Sequence, residues 1–417
     1  MMLPKGWVEA DLIDIITLHD SKRIPLNAEQ RRNKPGDYAY YGANGQVGAV
    51  GEYIFDGEYI LLAEDGGFFD QPGRRVAYQV LGKFWVNNHA HILTPKGGIP
   101  QTYLCKALNH FDWMAVVGGT TRLKLTQGNM KQVKMPLPPL AEQRRIVAKL
   151  DSLTARIARA RAELERIKKL QKQWLQRFLD SEFSCSGRML KLGTLAEDVR
   201  YGTAQKCIQN PVLTPVLRIP NISSGKVDIS NLKHAKFTEK EIQKLSLLPG
   251  DVLIIRSNGS VDLVGQSAVV DEQASGFLFA GYLIRIRLKK NNVAPDFVHY
   301  WLQSSQARNV INAEAKSTSG VNNINSEQLK NLQIRVPSLS MQQEIVSRIT
   351  KAFAHINHLE TEGRHTLTLL NRLEASLLAK AFRGKLVPQD PNDEPASVLL
   401  ERIRAERTEK PETRKRK

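Results

Sequence analysis

A chain of 417 residues is long enough for two or three ordinary domains, and one core is not expected to hold it. Its 60 Lys plus Arg against 42 Asp plus Glu leave a net charge of +18, which argues against a basic partner and for a polyanionic one. Three cysteines without CxxC spacing argue against a disulfide frame or zinc knuckle and fit a reducing cytoplasm, and no window approaches eighteen uninterrupted apolar residues.

The opening MMLPKGWVEADLIDI lacks a basic segment followed by an apolar one, so a soluble, unsecreted protein without a membrane role is expected. Residues 1–138 consist of short apolar runs with β-branched and aromatic residues, broken by Gly, Asn and Pro turns, and are predicted to form a globular α+β module. GANGQVGAVG (42–51) has neither GxGxxG nor GxxxxGK[ST] spacing, and the strand-like VGEYIF after it makes a hairpin the better reading. His89 and His91 alternate in HAHILTP and are taken as ordinary strand residues. Thr126, or Ser326 in the later copy, is a candidate cap for a short turn.

Pro138 and Pro139 end one element and admit another, since proline cannot donate to a ladder but suits a helix's first turn. A spacer helix is predicted over 139–184, with Glu142 near the positive end of its dipole, worth about 0.3 to 1 kcal/mol. A second module follows over 185–337 and a second spacer helix over 338–384, where Glu344 is placed to act as Glu142 does and Gly384 can end the helix. The remainder, 385–417, reads as a linker with Pro388, Pro391 and Pro395, a short helix in ASVLLERIRAER, and a disordered basic tail.

The two halves repeat. One constant shift lays Pro138 on Pro337, Leu140 on Leu339, Gln143 on Gln342 and Ile146 on Ile345. Ile146, Leu150, Leu153, Ile157 and Leu164 follow heptad spacing, as do Ile345, Ile349, Ile356, Leu359, Leu370, Leu373 and Leu377 at the same shift. Two in-register stripes separated by a module predict helices that bury their seams against each other. A helix of this length is about 60 Å long, so an antiparallel pair with one module at each end is the cheaper topology. Fainter echoes join LLAEDGGF (61–68) to LIIRSNGS (253–260), HAHILTP (89–95) to GYLIRIRL (281–288), and TYLCKALN (102–109) to DFVHYWLQ (296–303).

Catalytic tools are not found in the sequence. NPVL (210–213) lacks the second proline and the aromatic of an NPPY-type base-stacking motif, and no spaced acid, acid and lysine set suggests a nuclease. His358, Glu362 and His365 share a helix face without a fourth ligand, so a wet flank is preferred to a metal site. Groups suited to phosphates and base edges gather instead in Gly-punctuated loops. In the first module these are Lys22, Arg23, Arg31, Arg32, Asn44, Gln46, Arg74, Arg75, Thr120, Thr121 and Arg122. In the second they are Arg200, Tyr201, Gln205, Lys206, Arg218, Asn221, Arg256, Ser257, Asn258, Gln266, Ser319, Asn322 and Asn323.

The early LPKGW, PLPPLAEQRRIVAKLD, VPSLSMQQEIV and EASLLAKAFRGKLVPQDPNDEPASVLLERIRAER together resemble the specificity subunit of type I restriction-modification systems. TPVLRIPNIS and GDVLIIRSNGSVDLVGQ are similar to one of its target-recognition domain variants; Met341 in the place of Glu142 is a departure. The resemblance implies an α+β fold in which two similar target-recognition domains are separated by two long antiparallel coiled-coil helices, a pseudo-two-fold repeat. It implies a non-catalytic reader of double-stranded DNA, each module recognising half of a bipartite asymmetric sequence while the helix pair sets the spacer. The implied partners are two methyltransferase subunits and, in the full complex, restriction motor and nuclease subunits, in the cytoplasm of a bacterial or archaeal cell at the nucleoid. No cofactor is bound directly: S-adenosylmethionine, ATP and Mg belong to those partners. A rod of about 60 Å bounds the module separation at roughly 17 base pairs, with half-site centres about one turn apart. The competing readings are a DNA methyltransferase or nuclease with an unrecognised active site, and a coiled-coil structural or RNA-binding protein.

Overall fold

A computed structural model describes residues 3–71, 73–119, 121–315 and 321–409. The chain divides into two compact units, Met1–Glu163 with His365–Lys417, and Leu164–Arg364. Among the described residues no helix is long and apolar enough to cross a membrane.

Unit 1 is built on a six-stranded sheet in the order Ile16–Leu18, Ala90–Pro95, Phe55–Ala63, Ala77–Val86, Tyr38–Gly42, Gly45–Val50. Strand Phe55–Ala63 ends in a continuous apolar run because both of its faces are covered. Ile60 and Leu62 point into the main core with Leu104 and Leu108 of helix Gln101–His110, while Leu61 packs on the other side with Phe55, Phe84 and Ile92. The glycine-rich stretch is a hairpin, with Gly42 opposite Gly45. Unit 2 keeps the first four strands in the same order, as Ala196–Tyr201, Leu283–Leu288, Val252–Ile255 and Ser267–Val269. It then departs: Lys233–Ala235, Thr214–Leu217 and Leu278–Phe279 form a separate three-stranded sheet. One position inside the shared part changes character. Leu61 lies opposite Ile92 in unit 1, whereas Leu253 lies opposite Arg285 in unit 2. Arg285 is buried there because it is bonded to Asp198 and to Ser246 O (2.9 Å), with Asp251 4.0 Å from its Nε.

Each unit has a strand pair that leads into a long helix, Val8–Asp11 with Lys134–Leu137 and Arg188–Lys191 with Gln333–Val336. The helices run Leu140–Glu182 and Leu339–Ala381. At both starts a fully buried glutamine folds back on the proline carbonyl: Gln143 Nε2 donates to Pro138 O (2.8 Å) and Gln342 Nε2 to Pro337 O (3.0 Å). Gln342 Oε1 also accepts Ala294 N–H (2.8 Å). The matching residue before helix Gln101–His110 is Pro100, which has no N–H, and Gln143 Oε1 is left without a partner. Glu142 does not act as an exposed dipole charge. It is buried and accepts from Trp7 Nε1 (2.9 Å), and burial pushes its pKa up. By strand register Gly187 takes Trp7's place in unit 2, where a Cβ would lie 2.7 Å from Val336, so Met341 has no indole to receive and stands exposed. Glu344 is also exposed and lies 3.8 Å from Arg348. Thr126 caps its turn by accepting Asn129 N–H, but in unit 2 the cap is Asn325, one residue before Ser326.

Within unit 1, Ile146 and Leu150 share a core with Leu377 and Ala381, and farther along Arg161 reaches Asn371 and Glu374, each at 2.7 Å. Within unit 2, Leu179 and Phe183 share a core with Ile345 and Ile349, and Arg348 reaches Glu182 at 2.7 Å. In unit 1 the partner numbers fall as the first helix advances, the mark of antiparallel pairing. Ile146, Leu150, Ile157, Ile345, Ile349 and Ile356 are buried, and Leu153, Leu164, Leu370 and Leu377 half-buried. Leu359 (38 % exposed) and Leu373 (48 %) fall outside the seam. In the last turns of the second helix the inward positions are Leu367, Leu370, Glu374 and Leu377, because a helix of 3.6 residues per turn drifts about 20° per heptad from a 3.5 repeat. The helix ends also match: Phe183 packs edge-on to Phe297 and Phe382 against Tyr103, with ring centroids 5.2 and 5.7 Å apart.

After Gly384 (φ +65°) the chain stays in unit 1, where helix Ala396–Glu409 docks through Ala396 N–H to Gly6 O (2.9 Å) and through Arg404 and Arg407 to Asp14 (3.0 and 3.1 Å). Most of the expected basic tail, residues 410–417, lies outside the described residues.

Candidate nucleic-acid interface

In unit 2 candidate polar residues from three separate segments converge. Strand Ala196–Tyr201 ends at Tyr201, whose hydroxyl accepts Ser326 N–H (2.8 Å) and donates to Ser326 Oγ (3.1 Å). Arg256 lies over that ring, 4.6 Å from its centroid, and its Nε donates to Asn323 Oδ1 (3.2 Å). Ser257 and Asn258 pair with Asn323 and Asn322 in a short ladder, and Asn322 Nδ2 donates to Gly259 O (3.1 Å). The stacking and the Nε bond fix the guanidinium, while its two Nη groups make no bond among the described residues and remain free to donate. A fixed fork beside amide side chains suits guanine and adenine edges or a phosphate.

Other flagged residues of this unit have different positions. Lys206 is exposed, and Gln205 Nε2 donates to Glu241 Oε1 (3.3 Å). Arg218 Nη2 donates to Asn231 O (3.0 Å). Asn221 is buried: its Oδ1 accepts Arg218 N–H and its Nδ2 donates to the carbonyls of Asp228 and Asn231, so it shapes a loop and faces no ligand. Arg200 is paired with Asp198. Gln266 lines a separate cavity of about 220 Å³ beside Gln176, Gln303 and Arg308. Ser319 lies outside the described residues.

Unit 1 assembles the matching place from different chemistry. Asn44, at the hairpin turn, donates to Gly66 O (2.9 Å), and Asp65 accepts from Arg122 Nη2 (2.6 Å) while His89 Nδ1 lies 2.7 Å from it. Thr121 and Lys22 are exposed; Gln46 is also exposed and donates to Gly48 O (3.0 Å). Arg74 stacks on Phe68 at 3.4 Å and Arg75 lies 5.6 Å from the Tyr78 ring. Arg31 and Lys34 lie over Tyr40 and Trp85, at 5.1 and 5.7 Å. Thr120 lies outside the described residues.

Arg23 is removed from the candidate surface. Its Nη1 donates to Glu64 Oε2 (2.7 Å) and Ala90 O (2.9 Å), and its Nη2 is 3.3 Å from Asp20. His91 is not an ordinary strand residue either: it is buried, with Nδ1 2.6 Å from Asp20 Oδ2 and Nε2 2.8 Å from Leu125 O. Burial alone raises Asp20, but the hydrogen bond to His91, Ile92 N–H and Arg23 carry its pKa below the ordinary carboxylate value. Asp20, Glu64 and His91 are the one group among the described residues with metal-ligand geometry, and Arg23 already supplies their countercharge. His358, Glu362 and His365 do not form such a group.

The family model described as the type I restriction modification DNA specificity domain matches residues 4–169 and again 191–368, one copy for each module. The chain belongs to this family. Among curated relatives it is 31 % identical over 300 residues to the type I restriction enzyme EcoKI specificity subunit of Escherichia coli (strain K12), and 32 % identical over 298 residues to the StySPI specificity subunit of Salmonella potsdam. Each match covers 66 % of this chain and 64 % of the relative, just under two thirds of that protein's length. A chain solved in a study of complex assembly and conformational transition of the type I R-M system superposes with a TM-score of 0.72 at 18 % identity, over 93 % of this chain and 100 % of that one. The HsdS subunit from Thermoanaerobacter tengcongensis gives 0.54 at 20 % identity, over 93 % and 99 %. The fold of this family, α+β with a repeated domain and a pair of long helices, is therefore the fold of the chain.

Lys34, Lys124, Lys233 and Tyr282 are further polar groups of the two units, half-buried or exposed, to which the glycine-rich loops did not point. Lys124 had a signal: it is bridged to Asp65 as Asn323 is to Ser257, and the constant shift that lays Pro138 on Pro337 also lays Lys124 on Asn323.

Proposed function

We propose that this chain is the non-catalytic DNA-specificity subunit of a type I restriction-modification complex. Each module reads one half of a bipartite, asymmetric duplex sequence, and the helix pair sets the spacer between the halves. The observation that carries this reading is that one scaffold occurs twice and presents different polar groups from the same place, Asn44, Asp65 and Arg122 in unit 1 against Tyr201, Arg256, Asn258 and Asn323 in unit 2. Phosphate contacts from the surrounding lysines and arginines position such a reader, and the fixed amides and guanidinium discriminate bases. Methyl transfer and cleavage belong in this reading to two methyltransferase subunits and to restriction subunits, which supply S-adenosylmethionine, ATP and Mg. The assembly works on DNA in the cytoplasm.

Co-expression with the methyltransferase, followed by mapping of methylated adenines across host DNA, tests the proposal. Exchange of the segment between Cys185 and Pro337 for that of a relative is expected to change one half-site and leave the other and the spacer intact. A change in both half-sites, or methylation of DNA by the isolated chain, overturns it.

A further inference from the structure

A cavity of about 500 Å³ opens in unit 2, and the reading face described above does not include it. Its walls come from the loop 203–207, the turn 218–220, strand Lys233–Ala235 and the turn 280–282. Main-chain bonds hold these walls apart whether or not anything lies between them. Thr203 N–H donates to Phe279 O (2.8 Å) and Gly281 N–H to Thr203 O (2.6 Å), while Ile208 and His234 exchange both bonds at 2.9 and 2.8 Å. Gly202 is required in this frame, because a Cβ there would sit 2.2 Å from Phe279 O.

The wall chemistry selects for an anion. Arg218 and Lys233 supply two cations, Gln205 an amide and Tyr282, 64 % exposed, a phenol; no carboxylate lines the cavity. Glu241 approaches only through Gln205 Nε2 and is held by the Thr238 cap. Cys207 adds no negative charge, since burial pushes its thiol up. Arg218 commits Nη2 to Asn231 O (3.0 Å), yet its Nε is buried without a partner, and Lys233 makes no ion pair among the described residues. The rim is tied to the reading face: Tyr282 O accepts Arg256 N–H (2.9 Å).

We propose that this cavity binds one phosphodiester of the DNA backbone, gripped by Arg218 and Lys233, next to the base pairs faced by Arg256, Asn258 and Asn323. The proposal rests on the function proposed above and adds the contact that sets the register of unit 2 on the duplex. Its volume leaves room for the sugar beside the phosphate, and phosphate contacts fix orientation without carrying sequence information.

The test uses the full chain assembled with its methyltransferase partners, titrated with a cognate and a scrambled duplex over a salt series. Lys233→Gln is expected to weaken both duplexes alike, roughly 3- to 10-fold, and to flatten the slope of log affinity against log salt by about 0.9. The methylated sequence is expected to stay the same. Arg218→Lys keeps the charge and is expected to keep the slope while losing affinity. An unchanged slope in Lys233→Gln on both duplexes overturns the proposal, and so does a loss confined to the cognate duplex with an altered methylated sequence. The scrambled duplex separates the two ideas: a wild-type complex that prefers no sequence sinks the specificity function, whereas the slope on scrambled DNA still decides the cavity.

Discussion

The strand that ends at Ala63 in unit 1 and the strand that ends at Ile255 in unit 2 lead into opposite chemistries. The first hands the chain to Glu64 and Asp65, the second to Arg256 and Ser257. The following turns are nevertheless held alike, by the bridge of Asp65 to Lys124 and the ladder of Ser257 to Asn323. Main-chain pairing fixes the loop and places no demand on the side chain, so the letters presented to a ligand can change while the frame stays. Inside the sheet the rule reverses. Where unit 1 has Ile92 and unit 2 has Arg285, the difference is possible only because Asp198 and Ser246 O meet the guanidinium.

The largest effect that breaks this comparison is expected at that buried pair. Arg285→Met takes from Asp198 its buried partner, although Arg200 still holds Asp198 and Arg287 still holds Asp251, and should cost unit 2 about 3 kcal/mol. Ile92→Val, the matching change in unit 1, should cost about 0.5 to 1.5 kcal/mol. Denaturation followed by Trp301 for unit 2 and by Trp7, Trp85 and Trp113 for unit 1 reads the two separately; equal shifts would mean that the buried charge carries no special weight.

A pH titration sharpens the same contrast. His299 in unit 2 is buried against Ser267 and Gln303, and burial lowers its pKa to about 4. An unfolded histidine takes its proton near 6.5, so protons favour the unfolded state and unit 2 loses stability as pH falls from about 6.5 to 4. Asp20 in unit 1 has a depressed folded pKa. The stability it contributes is present above about 3.9, the unfolded value, and is lost only below it. His299→Gln should flatten the upper window without touching the lower one; an unchanged profile at Trp301 would refute the assignment.

The joints give a smaller contrast. Gln342→Ala leaves Pro337 O and Ala294 N–H unmet and should cost about 2 kcal/mol, whereas Gln143→Ala removes one bond and an already orphaned oxygen and should cost less than about 1. Equal losses in the two midpoints would show that the Pro100 difference does not matter.

The joints and the repeat were legible because prolines, glutamines and heptads act locally and leave a linear trace. The reading face was half legible. Glycine-punctuated loops pointed to Arg256, Asn258 and Asn323, yet the same rule chose Arg23 and Asn221, whose hydrogen-bond acceptors lie on other segments or in another turn. A side chain's availability depends on partners that only the fold supplies. Lys233 and Tyr282 escaped because they sit in or beside short strands without a glycine-rich signature, and only the sheet brings them to one cavity.

The smallest expected effect concerns the part of the seam where local periodicity misleads. Heptad counting from Ile345 places Leu359 and Leu373 inside, but both are more than a third exposed, while Leu367 and Glu374 turn inward and Glu374 receives Arg161 at 2.7 Å. Leu373→Gln should therefore change unit 1 by no more than about 0.5 kcal/mol, as a surface substitution does. Ile349→Ala, fully buried in the seam of unit 2, should cost about 2 to 5 kcal/mol. A comparable loss from Leu373→Gln would mean that the second helix is overwound to a strict 3.5-residue repeat in solution. The drift that puts Glu374 in place of Leu373 would then be absent, and with it the ion pair to Arg161.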